Sequence, residues 1–216
     1  MKKIAVVLSG CGHQDGSEIT EAISTLIALS ELNVGYQIFA PDLITKTSNH
    51  LNDASESPRN ALSEAARIAR GNARDLKTLE ASNFDALVIP GGYGAAKVLC
   101  NFAQLGHKCD VLPEVRKVIE GFYKEEKPIA AICIAPALVA RVLGSKGITL
   151  TIGNDAETAA EITKTGAHHE VCAVEDYVTD REHRLITTPA YMYSNAKPSE
   201  VFTGIRKALK ELVEMA

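Results

Sequence analysis

The stretch Ala130-Ala131-Ile132-Cys133-Ile134-Ala135-Pro136 holds the side chain best placed for covalent chemistry. Pro128 to Ile132 reads as a short buried strand, and Ala135 to Leu143 carries the pattern of an apolar helix. Cys133 falls between them, with no glycine to relax the corner. A side chain at such a corner projects from the carboxyl edge of a sheet, where α/β proteins bind ligands. The amides and dipole of a helix N-terminus favour thiolate over thiol, so the pattern is the cysteine form of a nucleophile elbow. The competing account is plain packing, since free cysteine is among the most buried residue types.

Two other segments offer groups that would serve such a sulfur: Ser9 to Gly16 and Pro90 to Gly94. Gly91 and Gly92 let their amides approach a ligand closely. With the amide of Ile134 they would form an oxyanion hole for a tetrahedral adduct on Cys133. Glu18, in the first turn of the first helix, is placed to face the crevice and share a proton with the thiol. It would act as general base, or as an acid kept protonated by desolvation. Glu21, one turn on, reads as solvated. Gly10-x-Gly12-x3-Gly16, with Asp42 after the second strand, resembles a dinucleotide fingerprint. Its loop is crowded by Cys11, His13, Gln14 and Asp15, and its acids would repel a pyrophosphate. His168-His169-Glu170-x-Cys172 invites a metal reading but lacks helical i, i+4 spacing and a second ligand cluster, so it is expected to be a polar surface loop. Neither a metal nor a cofactor is expected.

Positioning these loops requires strands and helices in alternation, and the pattern supplies them. Strands are expected at Lys3 to Leu8, Val34 to Ala40, Ala86 to Ile89, Pro128 to Ile132, Ile148 to Ile152, Val171 to Val174, Tyr177 to Thr179 and Leu185 to Thr188. Helices are expected at Ser17 to Leu32, Arg59 to Arg70, Ala95 to Gln104, Pro113 to Glu125, Ala135 to Leu143, Ala156 to Thr165 and Ser199 to Met215. In the first helix Ile19, Ile23, Leu26, Ile27 and Ser30 share one stripe. Ser57-Pro58 reads as an N-cap with proline at the first helical position. This order predicts a doubly wound α/β fold with a mostly parallel sheet. No internal repeat or long linker interrupts it, so residues 1–216 are expected to form one domain.

Composition narrows the partners. The 216 residues carry a net charge of -4, which leaves no basic footprint for nucleic acid. The apolar run after Lys2-Lys3 ends at Ser9-Gly10, too short for a signal peptide, and no run approaches membrane-spanning length. The five cysteines are scattered, with no C-x-x-C. That argues against a disulfide framework or zinc ribbon and leads to the expectation of a cytoplasmic protein.

Five motifs in order resemble the ElbB-type branch of the PfpI and class I glutamine amidotransferase-like superfamily: SGCGHQDGSEITEA (9–22), IPGGYGAAK (89–97), CIAPAL (133–138), LTIGND (150–155) and TTPAYM (187–192). The resemblance implies a flavodoxin-like three-layer sandwich, a homodimer, and a reactive Cys133 beside Glu18, with Asn154 and Asp155 joining Gly91, Gly92 and Ile134 at the substrate. It further implies an association with isoprenoid production. The activity implied is a glyoxalase that needs no glutathione, turning a small carbonyl substrate into a hydroxy acid through a Cys133 hemithioacetal. The chain departs from the wider superfamily in two places. Thr188-Pro189-Ala190-Tyr191 stands where amidotransferases carry His-x-Glu, and no histidine lies in the strand after the elbow helix. Glutamine hydrolysis is therefore not expected, and a redox-sensing or regulatory protein using the same cysteine is the alternative.

Overall fold

Apolar strands whose side chains alternate between two faces need helices on both sides, and this chain provides both. The computed structural model describes all 216 residues. Its elements are β1 (Lys3–Val7), α1 (Ile19–Glu31), β2 (Gly35–Ala40), β3 (Ile44–Ser48), β4 (Ser55–Asn60), α2 (Ala61–Ile68), β5 (Ala73–Asp75), β6 (Ala86–Ile89), α3 (Tyr93–Lys97) and α4 (Phe102–Leu105). There follow α5 (Pro113–Lys124), β7 (Ile129–Ile132), α6 (Ala135–Leu143), β8 (Thr149–Leu150), α7 (Ala156–Thr163), β9 (His168–His169), β10 (Val178–Asp180), β11 (Leu185–Thr188) and α8 (Pro198–Met215).

Seven strands make one sheet in the order β10-β11-β7-β6-β1-β2-β5. Every neighbouring pair is parallel except β10 on β11. Along β1 and the residue after it, Ile4, Val6 and Leu8 enter a core shared with α1, α2 and α8. Ala5 and Val7 point the other way, into a core shared with α3 to α7. The result is the flavodoxin-like α/β sandwich expected, with β1, β6 and β7 side by side at its centre.

Several elements differ from the sequence reading. The helix expected from Ala95 to Gln104 is split into α3 and α4, and Cys100 between them bridges Val111. Pro58 does not open a helix. It lies in β4 of a two-stranded hairpin, where a missing N–H is tolerated, and α2 starts after Asn60, whose side chain accepts from Ser63 N–H at 2.9 Å. That polar hairpin and the short edge strand β5 have no apolar signature to announce them. The strand expected at Ile148 to Ile152 shrinks to β8, which pairs with His168–His169 in a separate small sheet; the two histidines lie on a strand rather than in a connector. Val171 to Val174 forms no strand, and no group of three metal-ligating side chains occurs.

The largest correction concerns α1. Ile19, Ile23 and Ile27 are exposed, at 49, 38 and 46%. The buried face of the helix consists of Glu21, Ala22, Ser24, Thr25, Ala28 and Leu29. Small side chains let α1 lie close to the sheet and to α8, and that closeness decides the face.

Candidate active site

At the carboxyl ends of β1 and β6, backbone hydrogen bonds join two loops beside the corner that follows β7. Tyr93 N–H donates to His13 O at 2.7 Å, Gly94 N–H to Gly16 O at 2.9 Å, and Glu18 N–H to Gly91 O at 3.1 Å. Two glycines make this approach feasible. A Cβ on Gly91 would stand 2.4 Å from Cys133 Cβ and 2.7 Å from Glu21 Oε2. Gly92 has φ of 88°, and its Cβ would stand 2.4 Å from both Glu18 N and Gly16 O.

Cys133 follows β7 directly and takes a left-handed backbone, φ 61°, which is strained for a side chain other than glycine. Its N–H donates to Thr188 O at 2.9 Å on the neighbouring strand, which pins the corner. Ile134 and α6 follow at once. The residue is 7% exposed and lines a cavity of about 210 Å³ with His13, Glu18, Gly92, Tyr93, Ile134, Asp155, Thr158, Tyr191 and Met192. A larger open groove of about 660 Å³ shares Tyr93, Ile134 and Thr158 with it and runs on past Phe102, Leu105 and His107.

The carboxyl group that bears on the sulfur is that of Glu21, which is fully buried and meets the same Gly91 position as Cys133 Cβ. Its Oε2 accepts from Gly91 N–H at 3.0 Å and its Oε1 from Tyr191 N–H at 3.2 Å. The second donor is aimed by Ala190, another non-glycine residue with positive φ, at 44°. Burial first, then the charge of Glu18, pushes the Glu21 carboxyl up to about 8. It is therefore mostly protonated at neutral pH.

Burial, followed by the charge of Glu21, also raises the Cys133 thiol well above its ordinary value, while the amides of Gly92 and Ile134 pull it down. The helix N-terminus was expected to leave a thiolate, but burial outweighs it. A helix end contributes ~2 kcal/mol at most, whereas full burial moves a group by up to ~3–5 pH units. When Glu21 carries its proton, its repulsion of the sulfur vanishes and its hydroxyl becomes a donor to sulfur. The two groups titrate as a pair.

The other residues singled out in the sequence divide clearly. Gly92 and Ile134 direct their amides at the sulfur, but the amide of Gly91 is committed to Glu21 and is not free for a substrate oxygen. Glu18 lines the cavity and caps α1, accepting from Glu21 N–H at 2.7 Å; the contact with sulfur belongs to Glu21, not to Glu18. Asp155 lines the cavity and caps α7, accepting from Thr158 N–H at 2.8 Å. Asn154 is exposed and lies outside the lining. His13 is the one histidine of the cavity wall, packed edge-on against His50 with ring centroids 5.0 Å apart. The glycine loop after β1 is filled by its own chain and by His50, whose Nε2 lies 2.7 Å from where a Gly12 Cβ would be; this is not the open cradle a dinucleotide needs.

The sequence reading missed Glu21 and the amide of Tyr191. The only signal for Glu21 was its place among alanines, serine and threonine, small residues suited to close packing.

With this geometry in place, the model of the DJ-1/PfpI family matches residues 13–192. The chain is 40% identical to a human protein, glutamine amidotransferase-like class 1 domain-containing protein 3, mitochondrial, over 99% of this chain and 83% of that one. It is 39% identical to the mitochondrial ES1 protein homolog of Rattus norvegicus, over 99% and 84%. Among solved structures it is similar to an isoprenoid biosynthesis protein with amidotransferase-like domain from Ehrlichia chaffeensis, with 38% identity, a TM-score of 0.92, and 100% and 99% of the two chains covered. The mitochondrial relatives overturn the expectation of a cytoplasmic protein. Unpaired cysteines report a reducing environment, not a cellular address.

Proposed function

Because the chain belongs to the DJ-1/PfpI family and has the class 1 amidotransferase-like fold, we propose that it is a cysteine-dependent enzyme acting on small dicarbonyls such as glyoxal. We place it in the ElbB-type branch on its five motifs. The observation that carries the reading is the placing of buried Glu21 and cavity-lining Cys133 against one another across Gly91, with the amides of Gly92 and Ile134 lowering the thiol.

In this scheme the ionised fraction of Glu21 takes the thiol proton as sulfur attacks the aldehyde carbon. A base titrating near 8 suits that task near neutral pH. The Gly92 and Ile134 amides stabilise the oxyanion, which is protonated to the hemithioacetal. Glu18, on the cavity wall, moves the proton from the sulfur-bearing carbon to the adjacent carbonyl carbon through an enediolate. Water then hydrolyses the resulting thioester to glycolate and frees the thiol.

The decisive experiment incubates the purified protein with glyoxal, without glutathione, and measures glycolate. Turnover that disappears in Cys133→Ala supports the scheme; equal turnover in that variant overturns it. The cavity wall offers a single histidine, His13, which favours a second reading: a redox-sensing protein in which Cys133 is oxidised and no substrate turns over. Negligible glycolate together with peroxide oxidation of Cys133 would select it.

A further inference from the structure

Two cysteines outside this site stand against one another. Between α3 and α4, Cys100 forms an isolated antiparallel bridge with Val111. Leu112 N–H donates to Leu99 O at 3.0 Å and Asn101 N–H to Asp110 O at 3.2 Å to close it. Side chains two residues apart on an extended segment share a face, and Cys109 is extended, with φ -60° and ψ 150°. The bridge therefore turns Cys109 to the Cys100 side, where each thiol shifts the other's titration while Cys100 Sγ donates to Ala95 O at 3.2 Å. Both are buried in the core beneath α3 to α7.

We propose that Cys100 and Cys109 form a reversible disulfide that clasps one wall of the groove beside Cys133. The chain between them is α4 and the turn Gly106–Lys108, which supply Phe102, Leu105 and His107 to the groove. A bond between the cysteines ties both ends of that wall together. The bond itself fixes the two sulfurs at ~2.05 Å.

Cys109 is the attacking sulfur. The neighbouring Cys100 thiol, then the nearby Arg141 guanidinium, hold its thiol below the ordinary range, while Cys100 is raised. Arg141 is fixed in place by its Nε donating to Cys109 O at 2.6 Å. With hydrogen peroxide as oxidant, admitted by local opening of the short α4 segment, the Cys109 thiolate attacks the peroxide. The O–O bond breaks, Cys109 becomes a sulfenic acid, and the departing hydroxide takes the proton lost on ionisation to leave as water. Cys100 sulfur then attacks the sulfenic sulfur, the S–O bond breaks, and the hydroxide released takes the Cys100 proton as a second water. Two thiols lose two electrons in all and the peroxide gains them. A dithiol reductant reverses the bond by exchange.

Trypsin cuts after Lys97, Lys108 and Arg116, so Cys100 and Cys109 fall in separate peptides, Val98–Lys108 and Cys109–Arg116. The protein is treated with hydrogen peroxide, its remaining thiols are alkylated, and the digest is read by mass spectrometry. The expected product is these two peptides joined, separated again by dithiothreitol and missing in Cys100→Ser. The same product is expected in Cys133→Ala, which keeps this result independent of any activity at Cys133. Full alkylation of both peptides after peroxide overturns the proposal. The clasp itself is read from labelling of Cys133 by a bulky maleimide, expected to slow several-fold on oxidation; equal rates in the oxidised and reduced protein overturn that part.

Discussion

Glu21 changes how the candidate site works at the level of single side chains. A carboxyl titrating near 8 accepts a thiol proton at neutral pH, which an ordinary exposed carboxylate does poorly. Glu21→Gln keeps the shape and removes that capacity. Alkylation of Cys133 by iodoacetamide at pH 7.5 is expected to fall roughly 100-fold, as measured by mass spectrometry against time; wild-type rates in the variant would exclude Glu21 as the base. Glu18→Gln acts differently, since Glu18 raises Glu21 by its charge. The midpoint of the Cys133 alkylation profile is expected to move to lower pH, and an unchanged midpoint would show that the Glu18 charge does not reach the pair.

At the scale of elements, close backbone approach is the condition for the site. Gly92→Ala meets both a positive φ and two backbone atoms at 2.4 Å, and α1 and the β6–α3 loop have to separate to admit the methyl group. A loss of at least ~2 kcal/mol is expected in urea unfolding, and an unchanged midpoint would show that the loops are less tightly joined than the distances imply. The exposed isoleucines of α1 make a different demand. Ile19, Ile23 and Ile27 follow one another at i, i+4 spacing on the open face of the helix, and we propose that a second copy of this chain covers them. Ile23→Glu with Ile27→Glu is expected to halve the mass seen by light scattering while leaving the circular dichroism spectrum unchanged. A monomeric wild-type protein would dispose of the idea.

The whole molecule carries the energetic consequence of burying Glu21. Its folded value of about 8 exceeds the ordinary 4.5, so the folded state holds the proton more tightly than the unfolded chain. This contribution is complete below about pH 4.5 and is lost as pH rises through 8, with a ceiling of roughly 5 kcal/mol at ~1.36 kcal/mol per pH unit. Glu161 works in the opposite sense but only at the acid extreme, because the His107 N–H, Lys164 and the His107 ring hold it at about 2. Urea unfolding of the wild type is therefore expected to weaken between pH 5 and 8, and that of Glu21→Gln to stay nearly level. Parallel curves would mean that the carboxyl is not buried as described. The alternation of strands and helices, the cysteine corner and the glycine-bearing loops were legible in the sequence, because apolar runs and Gly-Pro punctuation are local signals. The acid that serves the sulfur was not. Glu18 caps the helix and Glu21 follows three residues on, and the conspicuous isoleucines point to the wrong face as buried. What separates the two carboxyls is contact with Gly91 and Tyr191, 70 and 170 positions along the chain. Only the packing of three layers brings those donors together and excludes water around them.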